Sequence, residues 1–147
     1  MAYNKTYSFN FSSTANVKYV LEFYDQEATS AFYNLKGTLG AGAVDISWGS
    51  DGNKMYSPIK ASTMAIDFMV TDIKAATYIK QLRTDRAERD VYVYLYCTGN
   101  THIIQAGESP IFAGYLLMDL ADDPDIPLPY NMRLKAVDGI AALKYYD

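Results

Sequence analysis

The sequence predicts a mainly β (α+β) fold: a partly closed antiparallel β-barrel or sandwich, with one packed helix near residues 71–84 and a short C-terminal helix. The first observation is the aromatic content, with 14 tyrosines, 6 phenylalanines and 1 tryptophan. Aromatic side chains fit the pleated, half-buried surface of a sheet. The second is that apolar and polar residues alternate in many short segments, a period typical of half-buried strands. Tyrosine also suits protein interfaces, and composition alone does not separate these two roles.

The chain of 147 residues has the size of one domain, large enough to bury a core without a metal or a disulfide. Cys97 is the only cysteine, so no disulfide within the chain is possible. No repeat or linker divides the sequence, and we predict a single β-rich domain over residues 1–147. The N-terminus lacks the apolar run of a signal peptide, and no apolar stretch approaches the ~18 residues of a membrane-spanning helix. We therefore expect no membrane span, and folding in a cytoplasm.

Alternation and turn residues predict the positions of the strands. The clearest strand covers residues 91–97, where Val91, Val93, Leu95 and Cys97 form an apolar face. Asp51-Gly52 favours a hairpin because both residues tolerate positive φ. The full set of predicted strands is 7–11, 16–24, 31–35, 44–48, 63–70, 91–97, 101–106, 111–118 and 130–137.

One segment has the spacing of an amphipathic helix. Thr71 or Asp72 is a suitable N-cap, and an apolar stripe is predicted from residues at helical spacing. Basic residues towards the C-terminal end of this segment complement the helix dipole. A second, short helix is predicted at 140–143, after a turn at Asp138-Gly139. The predicted stripe consists of Ile73, Ala76, Ile79 and Leu82.

Residues suited to catalysis or metal binding are sparse. His102 is the only histidine, which excludes a cluster of histidine ligands, and we interpret it as structural. Cys97 is predicted on a buried face, where a thiol behaves as a small hydrophobe. We therefore expect no enzymatic activity, no catalytic, cofactor-binding or metal-binding residues and no cofactor.

The acidic residues concentrate in one segment. Asp119, Asp122, Asp123 and Asp125 lie in a proline-rich stretch that we interpret as a solvated loop over 119–129; whether it binds a cation stays open. The formal charge of −4 and the pI near 4.9 argue against specific nucleic-acid binding, which usually needs a basic surface.

The feature that bears most directly on function is a row of tyrosines on one face of the clearest strand: Tyr92, Tyr94 and Tyr96. Two interpretations are open. The row either packs beneath a helix or a second sheet, or forms an exposed candidate interface that docks another protein or a saccharide.

Two short motifs in the second half of the chain carry a family resemblance. The first reads Phe112-Ala113-Gly114-Tyr115-Leu116. After the acidic, proline-rich stretch comes the second, residues 136–144, which contains Asp138, Gly139 and Leu143. From Tyr56 onward the order of elements resembles the N-terminal domain of phage tail hub or tail-tip structural proteins, particularly in phages of Bacteroidetes-type hosts. It is more distantly similar to the first barrel of contractile-tail hubs and type VI secretion spikes.

The resemblance implies a virion structural protein, a baseplate hub or tail-tip subunit that forms a ring in a phage tail or tail-like injection device. Its partners would be other tail structural proteins and further copies of itself, as a trimer or hexamer. It would be made in the host cytoplasm and located in the virion tail. The chain departs from the family in its long 98–110 segment, in Phe112 where tryptophan is common, and in ending at Asp147. It is thus either the N-terminal fragment of a longer protein or a smaller relative.

The same motifs have physical roles that do not depend on the family. Gly114 allows close backbone approach or relieves barrel strain. Asp138-Gly139 turns the chain, and Leu143 is expected to plug the end of a barrel. An acidic ring lumen would repel DNA phosphates. The alternative function is a carbohydrate- or peptide-binding β-sandwich module that uses an exposed tyrosine face.

Overall fold

The computed structural model describes residues 3–26, 33–34, 44–48, 61–85, 87, 89–122 and 127–139. Over these residues the chain forms eight strands and one helix. The elements in chain order are β1 (Asn4–Ser12), β2 (Lys18–Asp25), β3 (Tyr33–Asn34), β4 (Val44–Trp48), β5 (Ser62–Val70), α1 (Ile73–Asp85), β6 (Val91–Gly99), β7 (Phe112–Asp122) and β8 (Tyr130–Asp138).

The strands belong to one sheet in the order β3-β1-β2-β6-β7-β8-β5-β4. Neighbouring strands are antiparallel, apart from the two-residue β3, which runs parallel to β1. This confirms the predicted mainly β fold with one packed helix. Within the described part of the chain the sheet is open and does not close into a barrel.

Strand register places the apolar residues on one face of the sheet, which we call the core face. Leu21 pairs with Phe9 on one side and with Leu95 on the other, and directly paired residues point to the same face. The core face carries Tyr7, Phe9, Leu21, Phe23, Met64, Ile66, Val70, Val91, Val93, Leu95, Phe112, Leu116, Tyr130, Met132, Leu134 and Ala136.

Helix α1 packs on the core face. Asp72 caps it, because its Oδ1 accepts a hydrogen bond from the backbone N–H of Lys74 at 3.1 Å. Its buried side chains are Ala75, Ala76, Ile79 and Leu82. The prediction that Ile73 belongs to this stripe is wrong, since its side chain is 71% exposed. At 3.6 residues per turn, Ile73 and Leu82 point about 180° apart, so both cannot face the sheet.

The sheet curves around α1. The Tyr78 ring of α1 lies 4.4 Å from the ring of Tyr7 on β1, while the same helix also contacts β5 and β7. Strands β1 and β5 are five positions apart in the sheet, about 24 Å if it were flat, roughly twice the width of a helix. Both can reach one helix only if the sheet bends towards it.

Gly114 lies where β7 and β8 approach closely. A Cβ added there would be 2.2 Å from the backbone O of Val137 and 2.9 Å from Cε1 of Phe112. Only glycine fits there without moving the backbone. Of the two roles predicted for Gly114, the structure therefore shows close approach of the backbone.

The strand predicted at 101–106 is wrong. The backbone N–H of Ile111 donates to the O of Leu95 at 2.8 Å, so β7 takes the place beside β6. Residues 101–106 are therefore left outside the sheet, and Ile103 is 70% exposed.

The loop predicted from residue 119 does not begin there, because β7 continues to Asp122. After a register shift, Asp122 pairs with Arg133 of β8. The side chains of the four aspartates at 119–125, the Asp51-Gly52 hairpin, most of the strand at 31–35, the helix at 140–143 and Leu143 lie outside the described residues and side chains.

Candidate functional site

The predicted tyrosine row lies on the side of the sheet opposite the core face. Along β6, buried Val91, Val93 and Leu95 alternate with half-buried tyrosines. The half-buried tyrosines are Tyr92, Tyr94 and Tyr96. Helix α1 packs against the buried valines and leucine, so in the described part of the chain it does not cover the tyrosines.

Neighbouring strands extend this row into a cluster. Tyr92 pairs with Tyr24 of β2 on one side and with Tyr115 of β7 on the other, and Tyr3 joins from just before β1. We call the cluster the tyrosine face: Tyr3, Tyr24, Tyr92, Tyr94, Tyr96 and Tyr115.

The rings of the tyrosine face are packed against one another. Tyr92 and Tyr94 are stacked with centroids 5.1 Å apart. Tyr24 meets Tyr94 edge-on at 5.3 Å and 90°, and Tyr115 meets Tyr92 at 4.3 Å and 67°. Offset-stacked and edge-to-face pairs are the favoured aromatic geometries. The rings therefore hold each other in fixed orientations.

A charged pair lies beneath these rings. The Glu22 side chain is 5% exposed and contacts Nζ of Lys5, whose side chain is 37% exposed. The hydroxyl of Tyr24 donates to Oε2 of Glu22 at 2.8 Å. A buried carboxylate requires such partners, because removing it from water is costly.

Part of the sheet on the side of the tyrosine face is also buried. Val20, Glu22 and Ser8 point to this face by register, yet each is buried. The alternation of β2 predicts one buried and one solvated face, whereas both faces are buried at Val20 and Glu22. Tyr96 and Tyr94 pair directly with Val20 and Glu22, so their side chains lie beside these two buried residues.

Burial is the main cause that raises the phenol pKa values on this face. It raises the pKa of Tyr92 to about 12, with a further contribution from the hydrogen bond to Tyr115. It also raises the pKa of Tyr24, where Glu22 adds to the effect, and those of Tyr96 and Tyr3. These hydroxyls are therefore protonated donors at neutral pH.

The two motif segments separate into different environments. Phe112 is in the core, whereas Tyr115 belongs to the tyrosine face. Asp138 holds the start of β5, because its Oδ2 accepts from both the backbone N and Oγ of Ser62 at 2.7 Å. Gly139 is exposed, and within the described part of the chain nothing lies within 4 Å of a Cβ placed there. Among the described motif residues, Tyr115 therefore contributes to the tyrosine face, whereas Phe112 and Asp138 contribute to the fold.

His102 and Cys97 lie near one end of β2. The Nδ1 of His102 is 3.2 Å from the carbonyl O of Tyr19, a contact that ties the 100–111 segment to the sheet. Cys97 pairs with Tyr19 and is half-buried, so the predicted burial is wrong. It lies near the end of β6, where the strand leaves the core. Among the described residues, no three His, Cys, Asp or Glu side chains are grouped to hold a metal.

Sequence reasoning missed the Lys5–Glu22 pair and the contributions of Tyr3 and Tyr24. Glu22 and Tyr24 do alternate on the polar side of β2, which is a usable signal. The missing information was that β2 pairs with β6 across about 70 residues of sequence, which brings Glu22 beside Tyr94.

Comparison with protein-family models, with curated proteins and with solved structures finds no match to this chain. The described part of the chain contains no helix that is both long and apolar enough to cross a membrane.

Proposed function

We propose that this chain is a structural assembly domain, a tail hub or tail-tip subunit that forms a ring in a phage tail or tail-like injection device. The observation that carries the proposal is the tyrosine face, six contiguous tyrosines on the side of the sheet away from the core. Tyrosine is enriched in the energetically important centres of protein interfaces. The 112–116 and 136–144 motifs support the assignment to tails.

The packing of the tyrosine side chains allows a partner to bind with a low entropic cost. Tyr92, Tyr94 and Tyr115 are already fixed by mutual contacts, so little side-chain freedom is lost when a partner docks. The hydroxyls of these tyrosines offer hydrogen bonds at the rim, while the ring bodies supply apolar area.

A ring requires heterologous contacts, in which two different surfaces of the subunit meet. The tyrosine face and the outer side of α1 lie on opposite sides of the sheet, so a head-to-tail contact through them is geometrically possible. A trimer or hexamer is the expected product.

The test is the solution mass of the chain by light scattering across a concentration series, for the wild type, Tyr94→Ser and Trp48→Ser. Trp48 is the matched control because it is 63% exposed on β4, four strands from β6. We expect a discrete trimer or hexamer that Tyr94→Ser dissociates and Trp48→Ser does not, with circular dichroism verifying that both variants are folded.

A chain that remains monomeric at every concentration would contradict ring formation by this domain. If such a monomer also bound a glycan saturably, with quenching of tyrosine fluorescence that Tyr94→Ser abolishes, the carbohydrate-binding module would replace the assembly function.

A further inference from the structure

The tyrosine face has an electrostatic character that bears on what it binds, and this inference rests on the function proposed above. Three carboxylates interact with the phenol groups of this face through hydrogen bonds or charge. Glu22 accepts the hydrogen bond of Tyr24, and Asp90 follows Arg89, whose carbonyl O accepts a hydrogen bond from Tyr3. Burial raises the pKa of Tyr96, and the negative charge of Glu108 adds to this effect. Asp90 directly precedes β6, and Glu108 lies in the segment between β6 and β7.

These carboxylates are held in place rather than free to turn away. Oδ2 of Asp90 accepts from the backbone N–H of Ala87 at 2.7 Å, and Oε2 of Glu108 accepts from that of Gln105 at 2.9 Å. Fixed acceptors at two borders of an aromatic surface create a local negative potential.

The rings contribute a negative potential of the same sign. The face of an aromatic ring carries the negative part of its quadrupole and attracts a cation within about 6 Å of the centroid. Two edge-to-face pairs, Tyr24 with Tyr94 and Tyr92 with Tyr115, set ring faces at steep angles to one another. Rings at such angles form corners in which a cation meets more than one π-face.

Among the described residues of this region, Lys5 shows how a cation is accommodated. Its Nζ contacts Glu22 beside Tyr24, with which it is paired across the strands. That lysine neutralises Glu22, whereas Asp90 and Glu108 border other parts of the face.

We propose that the tyrosine face binds a basic segment of a partner protein, with arginine or lysine side chains placed over the tyrosine rings and between Asp90 and Glu108. Charge complementarity favours this occupant: the ring faces, Asp90 and Glu108 contribute negative potential at this surface, and the whole chain carries a net charge of −4. Arginine is the better fit because its planar guanidinium stacks on aromatic rings and also pairs with carboxylates.

The experiment titrates the full chain with a hexa-arginine peptide, using a hexa-glutamine peptide for comparison and tyrosine fluorescence as the readout. We expect saturable binding of hexa-arginine alone, which weakens as salt increases. Tyr94→Leu should weaken it about tenfold, whereas Tyr94→Phe should stay within about twofold because the ring is kept.

Charge-matched variants separate this site from general attraction to an acidic protein. Glu108→Gln and Asp45→Asn each remove one negative charge, but Asp45 is exposed on β4, four strands from β6. Glu108→Gln should weaken binding about threefold and Asp45→Asn should leave it unchanged. Equal weakening by both variants, or no saturable binding of hexa-arginine, would overturn the proposal.

Failure of the basic-partner proposal can be distinguished from failure of the proposed function. If the chain assembles through the tyrosine face but hexa-arginine neither binds nor competes, assembly stands and the basic partner is rejected. If the chain is monomeric while hexa-arginine binds with the expected sensitivity to Tyr94→Leu and Glu108→Gln, the basic partner stands and ring formation is rejected.

Discussion

Replacing Gly114 with alanine should destabilise the fold more than its small size suggests. The new Cβ would lie 2.2 Å from the backbone O of Val137 and 2.7 Å from its C, whereas ordinary van der Waals contact begins at 3.4 Å. Backbone cannot rotate away as a side chain can, so β7 and β8 must separate. Overpacking costs about 1–3 kcal/mol, and each weakened hydrogen bond of the β7–β8 pairing about 1 kcal/mol more.

We therefore expect Gly114→Ala to lower the free energy of unfolding by about 3 kcal/mol, or the thermal midpoint by about 6–12 °C. Urea unfolding followed by circular dichroism measures both the free energy and its denaturant dependence. Gly139→Ala is the matched control, because no atom of the described residues lies within 4 Å of a Cβ there and its φ is not positive. Similar small effects of both substitutions would show that the close approach of β7 and β8 does not constrain residue 114.

Three further predictions concern the core, the helix contact and the phenols. Leu21→Ala removes a fully buried side chain and should cost about 2–5 kcal/mol in chemical denaturation, whereas Ile103→Ala, at a 70% exposed position, should change stability by less than about 0.5 kcal/mol; comparable losses would contradict the assigned core. Tyr78→Phe removes a hydroxyl that lies 3.2 Å from Oδ2 of the buried Asp25, and should cost about 1–3 kcal/mol without altering the far-ultraviolet spectrum; an unchanged midpoint would argue against this contact. Because the pKa of Tyr92 is raised from 10.0 to about 12, the proton favours the folded state, so the contribution of this group to stability is complete below about pH 10 and is lost as the pH rises towards 12. Unfolding measured across this range should show a smaller alkaline decline for Tyr92→Phe than for wild type, and an identical decline would mean that Tyr92 is not shielded.

Hydrogen bonds between partly buried polar groups also tie α1 to β1 and β2. The hydroxyl of Tyr78 lies 2.9 Å from Oγ1 of Thr6, which in turn donates to the carbonyl O of Phe23 at 3.2 Å. Thr6 is the extra residue of a bulge, because Lys5 and Tyr7 are paired with consecutive residues of β2. Bulges redirect side chains, and this one turns Thr6 towards the helix.

The sequence predicts much of the local structure because the signals are local. Alternation identifies β1, β2, β4, β5, β6, β7 and β8, and the capping residue identifies the start of α1. The same signals mislead where an apolar segment has no strand to pair with, as at 101–106. They also place the end of β7 too early, because pairing with β8 keeps Asp122 in the sheet.

The candidate site divides in the same way. The row of Tyr92, Tyr94 and Tyr96 is visible in the sequence, because side chains alternate along a strand whatever its neighbours are. The sequence does not show whether that row is covered, because this depends on which face of the sheet α1 packs against.

The sequence by itself therefore determined the mainly β class, the helix and the tyrosine row, all set by interactions between residues close in the chain. Only the tertiary structure decided the strand order, the open sheet, the need for glycine at 114 and the burial of Glu22 beneath the rings. Each of these depends on pairing between segments far apart in the chain, such as β2 with β6. The free energy of such contacts comes from burial and register across the whole sheet, which no local pattern specifies.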